Sequence, residues 1–356
     1  MELLKQFWFA QVQALVDATG SKATIEAMTP YFKNSALAGT MVSKELLGLD
    51  LVGLPELAEM WGLQNTCLGW DHIITVHKDG ISFNHASPCS FLKAPMEVCV
   101  IFCEVAGRTS CESLHPEWAF DLMVPGYDGG PNCKGGHGFL HMKGTGPPEG
   151  QEILCIPRHD IEERYPLALR QSLGTQYYGE FIVLTANAAL DALGEKAISG
   201  VMCPAMYWHG RAIAGTILTK EDLDDGESLV LGAVDLVNKT LKQSGQFQRT
   251  SDSVWKKEIK ECPFSHAPKE FCEMYQSYLN GICTAFDKNA SFYYSKRMTS
   301  GAASCLGELT TSPQEGQRGQ RGTYDDHLVQ LKLRLAKGEI SEDEYFRLKK
   351  LILEDR

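Results

Sequence analysis

Hydrophobic residues recur at helical spacing in two clear stretches of the chain. Residues 3–19 place their large apolar side chains on one helical stripe, formed by Leu3, Leu4, Phe7, Trp8, Val12, Leu15 and Val16. A second helix is predicted over 267–281, where Pro268 suits the first turn, Glu270 the positive N-terminal end and Gly281 the C-terminal cap. Its apolar face repeats at spacings of three and four, through Phe271, Met274, Tyr275, Tyr278 and Leu279. Both patterns predict amphipathic helices that bury one face.

An earlier stretch repeats this second helix and the elements after it. The segment 94–107 begins with a proline and ends with a glycine, as 267–281 does. Strand-like runs follow at 118–124 and 291–298, and each leads through a glycine turn to a last strand, which carries Cys133 or Cys305. The order of elements predicts an α+β fold, with helices packed on an antiparallel sheet, made twice.

The cysteines show the same repetition. Four of them recur 172 or 173 residues later, Cys89, Cys99, Cys111 and Cys133 as Cys262, Cys272, Cys283 and Cys305. The N-terminal parts correspond at an offset of 174, as in Asp17 with Asp191 and Gly20 with Gly194. A period of this length is a whole domain, because solenoid repeats are only about 20–50 residues long. We therefore predict two tandem homologous domains.

The breaks in the pattern give the domain boundaries. The first repeat is predicted at 1–142 and the second at 158–309, with a linker at 143–157 that is rich in Gly and Pro. A flexible polar linker at 310–323 precedes a tail at 324–356. The tail reads as two short helices, and a capping box from Ser341 to Glu344 opens the second.

This tail resembles the short C-terminal (SHOCT) domain over residues 324–354. The matching positions are Leu331, Leu335, Gly338, Ile340, Ser341, Glu344, Tyr345 and Lys349. The resemblance implies a two-helix hairpin used for homo-oligomerisation or for docking of a partner. Two short helices bury too little surface to be stable alone, which favours docking independently.

Composition narrows the class of partner. The chain has 356 residues, a net charge of −11 and 12 cysteines. The negative charge argues against a nucleic acid or an anionic membrane surface as partner, because both are bound through Lys and Arg. No apolar run of 18 residues occurs, and the N-terminus lacks the pattern of a signal peptide. We expect a cytoplasmic protein with reduced cysteines and a small-molecule ligand or substrate.

The second repeat carries a family resemblance. The sequence ECPFSHAPKEFC, then Gly281-Ile282-Cys283, the strand FYYSKRMT and Gly301-Ala302-Ala303-Ser304-Cys305 resemble the L-2-amino-thiazoline-4-carboxylic acid hydrolase family over 259–307. The resemblance implies hydrolysis of a C–N bond in a small cyclic amidine or thiazoline. A weaker similarity to 4-vinyl-reductase-like domains implies the alternative, a non-catalytic sensor that binds a small ligand or a metal.

The cysteines allow three interpretations, of which the first two need no reaction. They can be core residues, since a free thiol packs like a small hydrophobic group. They can also hold a Zn or Fe ion through thiolates. The candidate ligands for such an ion are Cys89, Cys99, Cys111, Cys133, His137, Cys272 and Cys305.

The third interpretation is catalysis in the second repeat. Cys262 and His266 lie four residues apart near a predicted helix N-terminus, where the helix dipole lowers a thiol pKa. Asp287 is a candidate to orient an imidazole or a substrate ammonium, with a simple turn residue as the alternative. Arg297 suits a carboxylate through its bidentate fork, and strand alternation places it on the same face as Tyr293 and opposite Tyr294. Tyr293 and Cys283 complete the predicted site as substrate-binding residues.

Overall fold

The structure is a computed structural model. It describes residues 2–47, 53–85, 90–91, 94–114, 117–122, 138–217 and 229–311. The predicted tail and the predicted linker beyond residue 311 lie outside the described residues.

The described chain forms two compact units with helices and antiparallel sheets. Unit 1 comprises the described residues of Met1–Met202 together with His266–Phe271. Unit 2 comprises those of Cys203–Ser265 and Cys272–Arg356. The α+β class predicted from the sequence is confirmed.

Unit 1 contains eight of the described α-helices and the first five strands. The helices are α1 (Glu2–Thr19), α2 (Ser21–Leu47), α3 (Leu54–Cys67), α4 (Met96–Cys99), α5 (Gly107–Leu114), α6 (Arg158–Arg164), α7 (Leu167–Leu193) and α8 (Glu195–Ala197). Two π-helical segments, Val100–Ala106 and Ile198–Met202, accompany them. The strands are β1 (His72–His77), β2 (Gly80–His85), β3 (Trp118–Leu122), β4 (Gly138–Met142) and β5 (Glu152–Pro157). Every described strand pairing in this sheet is antiparallel, and the strand order is β3-β4-β2-β1-β5.

Aromatic residues fill the helical core of unit 1. Trp8 of α1 is fully buried and packs against Phe181 of α7 at a ring-centroid distance of 4.8 Å. The indole N–H of Trp8 donates to the hydroxyl of Thr185 at 3.0 Å. Tyr31 of α2 also donates a hydrogen bond to Asp191 of α7. These contacts attach α7 to α1 and α2 rather than to the later part of the chain.

Unit 2 contains the remaining elements. They are α9 (Cys203–Ile217), α10 (Leu229–Thr240), β6 (Gln248–Ser251), β7 (Val254–Ile259), most of α11 (Lys269–Phe286), β8 (Ser291–Lys296) and β9 (Cys305–Thr310). The four strands are antiparallel in the order β6-β7-β9-β8. Alternate residues of β8 and β9 are buried on one face, including Phe292, Tyr294, Cys305 and Leu309.

Both sheets share one strand order. The first sheet has the order β3-β4-β2-β1, with β5 beyond β1, and the second sheet, taken from its other edge, has the order β8-β9-β7-β6. When the strands of each sheet are numbered in chain order, both orders are third, fourth, second, first. In both, a helical stretch connects the second strand to the third: 96–114 in unit 1 and α11 in unit 2.

The compact units follow different boundaries from the predicted repeats. Helices α6 and α7, predicted in the second repeat, belong to unit 1. The predicted linker 143–157 contains β5, which pairs with β1. The Pro and Gly residues on which the linker prediction rested end at Gly150, and the apolar run after them adds a strand whose Ile156 is buried.

Two predicted helix ends are wrong, and for Gly281 the structure gives the physical reason. Gly107 and Gly281 were expected to end their helices, yet the chain stays helical to Leu114 and Phe286. A Cβ on Gly281 would lie 1.9 Å from the carbonyl oxygen of Tyr207, so the glycine permits a close helix crossing. Gly210 of α9 has the reciprocal role, since its Cβ would lie 2.1 Å from the carbonyl oxygen of Tyr278.

No helix in the described ranges has both the length and the apolar character needed to cross a membrane.

Replacement of Gly281 by Ala tests this helix crossing. The added methyl group meets backbone atoms that cannot rotate away, so we expect a loss of about 1–3 kcal/mol in the free energy of unfolding. The measurement is urea denaturation followed by circular dichroism.

Gly39→Ala is the matched control, because a Cβ added there, in α2, would have no atom of the described chain within 4 Å. Here we expect no loss, or a gain of up to about 1 kcal/mol from the better helix propensity. Equal effects of the two substitutions would contradict the close approach of α9 and α11.

Candidate functional site

Three of the repeated cysteines meet in unit 2. Cys262 lies in the turn before α11, Cys272 in the second turn of α11, and Cys305 at the start of β9. The three thiols are close enough that ionisation of Cys272 or Cys305 raises the pKa of Cys262. We call these three residues the thiol cluster.

Each thiol of the cluster has a polar contact. The backbone N–H of Met298 donates to the sulfur of Cys305 at 3.2 Å. The hydroxyl of the next residue, Thr299, lies 3.1 Å from the sulfur of Cys272. The side-chain amide of Gln243 approaches the sulfur of Cys262 at 3.9 Å. The short 3₁₀ turn at Met298–Ser300 thus contacts two of the three sulfurs.

Four buried polar residues lie beside the thiol cluster. The hydroxyl of Tyr275 donates to Oδ1 of Asn238 at 2.7 Å, and the hydroxyl of Tyr294 donates to Oε1 of Gln243 at 3.4 Å. We call Asn238, Gln243, Tyr275 and Tyr294 the interior network. Asn238 is fully buried, and its Nδ2 donor has no hydrogen-bond partner within the described part of the chain. A buried amide donor without a hydrogen-bond partner is uncommon in a native protein.

Burial keeps the site uncharged at neutral pH. It raises the pKa of the Cys262 thiol to about 11, helped by the two neighbouring thiols, and raises that of Cys272 as well. Burial also raises the pKa of Tyr275 and of Tyr294 well above the ordinary value, and the thiol cluster raises that of Tyr294 further. The thiols of Cys262 and Cys272 and the phenols of Tyr275 and Tyr294 therefore remain protonated.

The expected activation of Cys262 is wrong. Helix α11 begins at Lys269, so Cys262 lies seven residues before it, in a turn closed by a hydrogen bond from the Ser265 N–H to the Cys262 carbonyl. The helix dipole acts only near the first turn and does not lower this pKa. His266 is exposed.

Two further predicted site residues lie away from the network. Asp287 follows α11 and accepts a hydrogen bond from the Asn289 N–H at 3.0 Å, which matches the turn-residue alternative. Tyr293 is 57% exposed on the outer face of β8.

Arg297 lies on the opposite face from the one predicted. Its guanidinium donates to Oε1 of Gln276 at 3.1 Å and lies 3.7 Å from a carboxylate oxygen of Glu273, both on α11. The pairing of β8 with β9 shifts between Tyr294 and Lys296, and such an irregularity breaks the alternation of side chains. Arg297 therefore lies on the helix side of the sheet together with Tyr294.

Cys111 and Cys283 are packing residues, as the first interpretation of the cysteines expected. Both are fully buried, and Cys111 belongs to the apolar core of unit 1 with Trp61 and Phe120. Burial raises the pKa of Cys283 to about 12. A substrate-binding role for Cys283 has no support in this position.

The predicted metal ligands do not form a site among the described residues. Within those ranges no three His, Cys, Asp or Glu side chains come close enough together to hold a metal ion. This applies to Cys99, Cys111, Cys272 and Cys305. The other three candidates, Cys89, Cys133 and His137, lie outside the described residues.

Sequence reasoning missed the interior network and one buried lysine. Lys257 has a fully buried side chain on β7 and an ion pair with Asp235 of α10 at 3.3 Å. Strand alternation contained the signal, because Lys257 stands between Trp255 and Ile259 on the inward face. Asn238 and Gln243 carried no comparable signal, since Asn and Gln are ordinary at a helix end.

Comparisons with protein-family models, with curated proteins and with solved structures returned no match for this chain.

Alkylation with iodoacetamide tests the protonated state of the thiols. Among the cysteines in the described ranges, we expect Cys155, which is exposed on β5, to react first in the native protein, and Cys283 to react only on unfolding. A pKa near 11 leaves Cys262 with about 100-fold less thiolate at neutral pH than a thiol of pKa 9, so its rate should keep rising up to about pH 11. Peptide mass spectrometry gives the rate at each position.

Cys155→Ser is the control, because it removes the exposed thiol of β5 and changes no residue of unit 2. Faster alkylation of Cys262 than of Cys155 at pH 7 would show an activated thiolate and would contradict the site as described.

Proposed function

We propose that the chain binds a small polar molecule in the interior of unit 2, at the interior network and the thiol cluster. The observation that carries this proposal is the Nδ2 donor of Asn238, buried and without a described partner while Tyr275 fixes the other side of the same amide. Leaving such a donor unpaired costs about 1–3 kcal/mol. A ligand that offers a hydrogen-bond acceptor would remove this cost.

The surroundings favour a flat heterocycle as the body of this ligand. The thiols of Cys262 and Cys272 are neutral, and the tyrosine rings of the network stack with a centroid distance of 6.5 Å between Tyr275 and Tyr294. Polarizable sulfur and aromatic rings favour contact with a flat, weakly polar molecule. A small cyclic amidine or thiazoline has this character.

Hydrolysis of a C–N bond is the reaction we propose for the site. It is supported by the family resemblance over 259–307 and by the protonated phenol of Tyr294, whose proton is held only by a long hydrogen bond of 3.4 Å to Gln243 and can pass to a leaving nitrogen. In this proposal water attacks the amidine carbon, and the thiols bind the substrate in their neutral form. The alternative is a sensor that binds the molecule without turning it over.

We also infer that the repeats 1–142 and 158–309 descend from one duplicated domain. The shared strand order of the two sheets supports it, and so does the positive φ at corresponding glycines, +85° at Gly20 and +74° at Gly194. The tail at 324–356 is proposed to promote assembly or partner docking, as its SHOCT resemblance implies. A cytoplasmic location is part of the same proposal.

Binding of 2-amino-thiazoline-4-carboxylate tests the ligand site. We expect saturable binding by calorimetry, and at least about tenfold weaker binding by Tyr275→Phe, because the variant loses the hydroxyl that orients Asn238. Circular dichroism confirms that the variant is folded.

Tyr165→Phe is the matched control. Its hydroxyl also donates a 2.7 Å hydrogen bond, to Glu59 in unit 1, so the substitution removes an equivalent bond elsewhere. Absence of binding by the natural chain, or equal losses in the two variants, would contradict the proposed site.

Turnover of the same compound separates enzyme from sensor. We expect a product heavier by one water and a fall in kcat of about 100-fold in Tyr294→Phe, if this phenol gives its proton to the leaving nitrogen. Liquid chromatography with mass detection follows the product over time. Binding without any product would select the sensor alternative.

A further inference from the structure

A serine and a histidine are hydrogen-bonded on the outer face of the first sheet. Ser82 of β2 pairs directly with Thr75 of β1, and His77 follows two residues later on the same face of β1. The hydroxyl of Ser82 lies 3.1 Å from Nε2 of His77. Both side chains are only half-buried, so molecules from solvent reach the pair. The opposite face of the two strands packs into the apolar core through residues such as Ile74 and Ile81.

The backbone carbonyl of Gly150 determines which ring nitrogen of His77 carries the hydrogen. Nδ1 of the ring lies 3.1 Å from this carbonyl oxygen. A carbonyl oxygen only accepts hydrogen bonds, so Nδ1 is the donor, and in the neutral ring Nε2 is an acceptor. The hydroxyl of Ser82 therefore donates to Nε2. A hydroxyl bonded to a base that a third group orients is the arrangement of an activated nucleophile.

The carboxylate of Asp79 fixes the position of Gly150. Its two oxygens accept from the Gly150 N–H at 2.9 and 3.0 Å, and one of them also accepts from the Glu149 N–H at 3.1 Å. A Cβ on Gly150 would lie 2.3 Å from the carboxylate and would displace it. Desolvation raises the pKa of Asp79, but the two N–H groups and the nearby His77 outweigh it and lower the pKa from its ordinary value. Asp79 is therefore an anion at neutral pH and orients His77 through the Gly150 peptide.

We propose that Ser82 is a nucleophile that takes the acyl group of a small carboxylic ester, with His77 as its general base. The Oγ atom attacks the ester carbon while its proton passes to Nε2 of His77. Thr75 places a second hydroxyl on this face as a hydrogen-bond donor for the developing oxyanion. The C–O bond to the alcohol then breaks, and the alcohol leaves with the proton from Nε2.

Hydrolysis of the acyl-serine completes the reaction. Water attacks the acyl carbon, its proton passes to Nε2, and Ser82 recovers that proton as the acid leaves. The net change is ester plus water to acid plus alcohol, with no oxidant or reductant.

This inference goes beyond the proposed function and does not rest on it. Its residues belong to unit 1, whereas the interior network and the thiol cluster belong to unit 2. Failure of the thiazoline experiments leaves it standing, and its own failure leaves them untouched.

Labelling with an alkyl fluorophosphonate at neutral pH tests the nucleophile. The serine oxygen displaces fluoride from phosphorus, and peptide mass spectrometry locates the stable adduct. We expect Ser82 to react at least about 100-fold faster than Ser113 of α5, because a positioned general base contributes about 10²–10⁴-fold. Ser113 is the matched internal control: it is exposed, and its hydroxyl donates to a backbone carbonyl at 2.7 Å instead of to a histidine. Equal rates at the two serines, or no label on Ser82, would overturn the proposal.

Two variants test the base and the ester. In His77→Gln we expect labelling of Ser82 to fall at least about 100-fold with an unchanged circular dichroism spectrum, since the base is lost. With p-nitrophenyl acetate we expect an acetyl group on Ser82 in acid-quenched samples and release of nitrophenolate that Ser82→Ala slows at least about tenfold. Nitrophenolate release that Ser82→Ala leaves unchanged would refute the ester reaction.

Asp79 is a positioning residue in this proposal. Asp79→Ala removes both acceptors for the Gly150 N–H, and we expect fluorophosphonate labelling of Ser82 to slow about tenfold. Asp79→Asn retains one acceptor oxygen and should restore most of the labelling rate. Labelling as fast in Asp79→Ala as in the natural chain would contradict the action of Asp79 through Gly150.

Discussion

Side-chain amides of α11 complete the hydrogen bonding at one edge of the second sheet. Strand β8 is last in the order β6-β7-β9-β8, so one row of its backbone groups faces away from β9. The side chain of Asn280 hydrogen-bonds to both backbone groups of Phe292: its Oδ1 accepts from the N–H at 2.7 Å, and its Nδ2 donates to the carbonyl oxygen at 3.0 Å. Gln276 accepts from the Tyr294 N–H at 3.1 Å. Since exposed strand edges invite wrong pairing, this attachment protects the edge and fixes the helix against the sheet.

The candidate site depends on that attachment. Cys272 and Tyr275 lie on the same helix as Gln276 and Asn280, and Tyr294 lies on the strand that the amides hold. A shift of α11 by one residue along β8 would separate the Tyr275 hydroxyl from Asn238 and the Cys272 sulfur from Thr299. The close crossing at Gly281 limits the same movement from the α9 side. The polar geometry of the site is therefore determined by helix position as much as by the site residues themselves.

The sequence predicted the fold class, the helix that carries Cys272 and Cys283 and the strand that carries Cys305, because periodicity reports burial directly. It also predicted that Cys111 and Cys283 could be core residues. It did not predict that Gly107 and Gly281 lie inside helices. For Gly281 the reason is that a glycine that ends a helix and one that permits a close contact look alike in sequence. The side of the sheet on which Arg297 lies depends on an irregularity in strand pairing that alternation cannot foresee. Asn238, Gln243 and Tyr275 meet only through tertiary packing, so no local pattern could have identified the network.

The spacing between two repeated cysteines differs by one residue between the repeats, and a π-helical segment accounts for the difference. Cys99 and Cys111 are 12 residues apart, whereas Cys272 and Cys283 are 11 apart. The longer stretch contains the π-helical segment Val100–Ala106, and the shorter one is α-helical throughout. A π turn accommodates one extra residue without ending the helix, so Cys111 and Cys283 both reach buried positions.

The cores of the two units nevertheless differ in chemistry. Where α3 contributes Leu57 and Trp61 to an apolar cluster, α10 contributes Asp235 and Asn238 to a polar interior. Polar groups in a core reduce stability unless something binds them, so a ligand that pairs with Asn238 would stabilise the second unit.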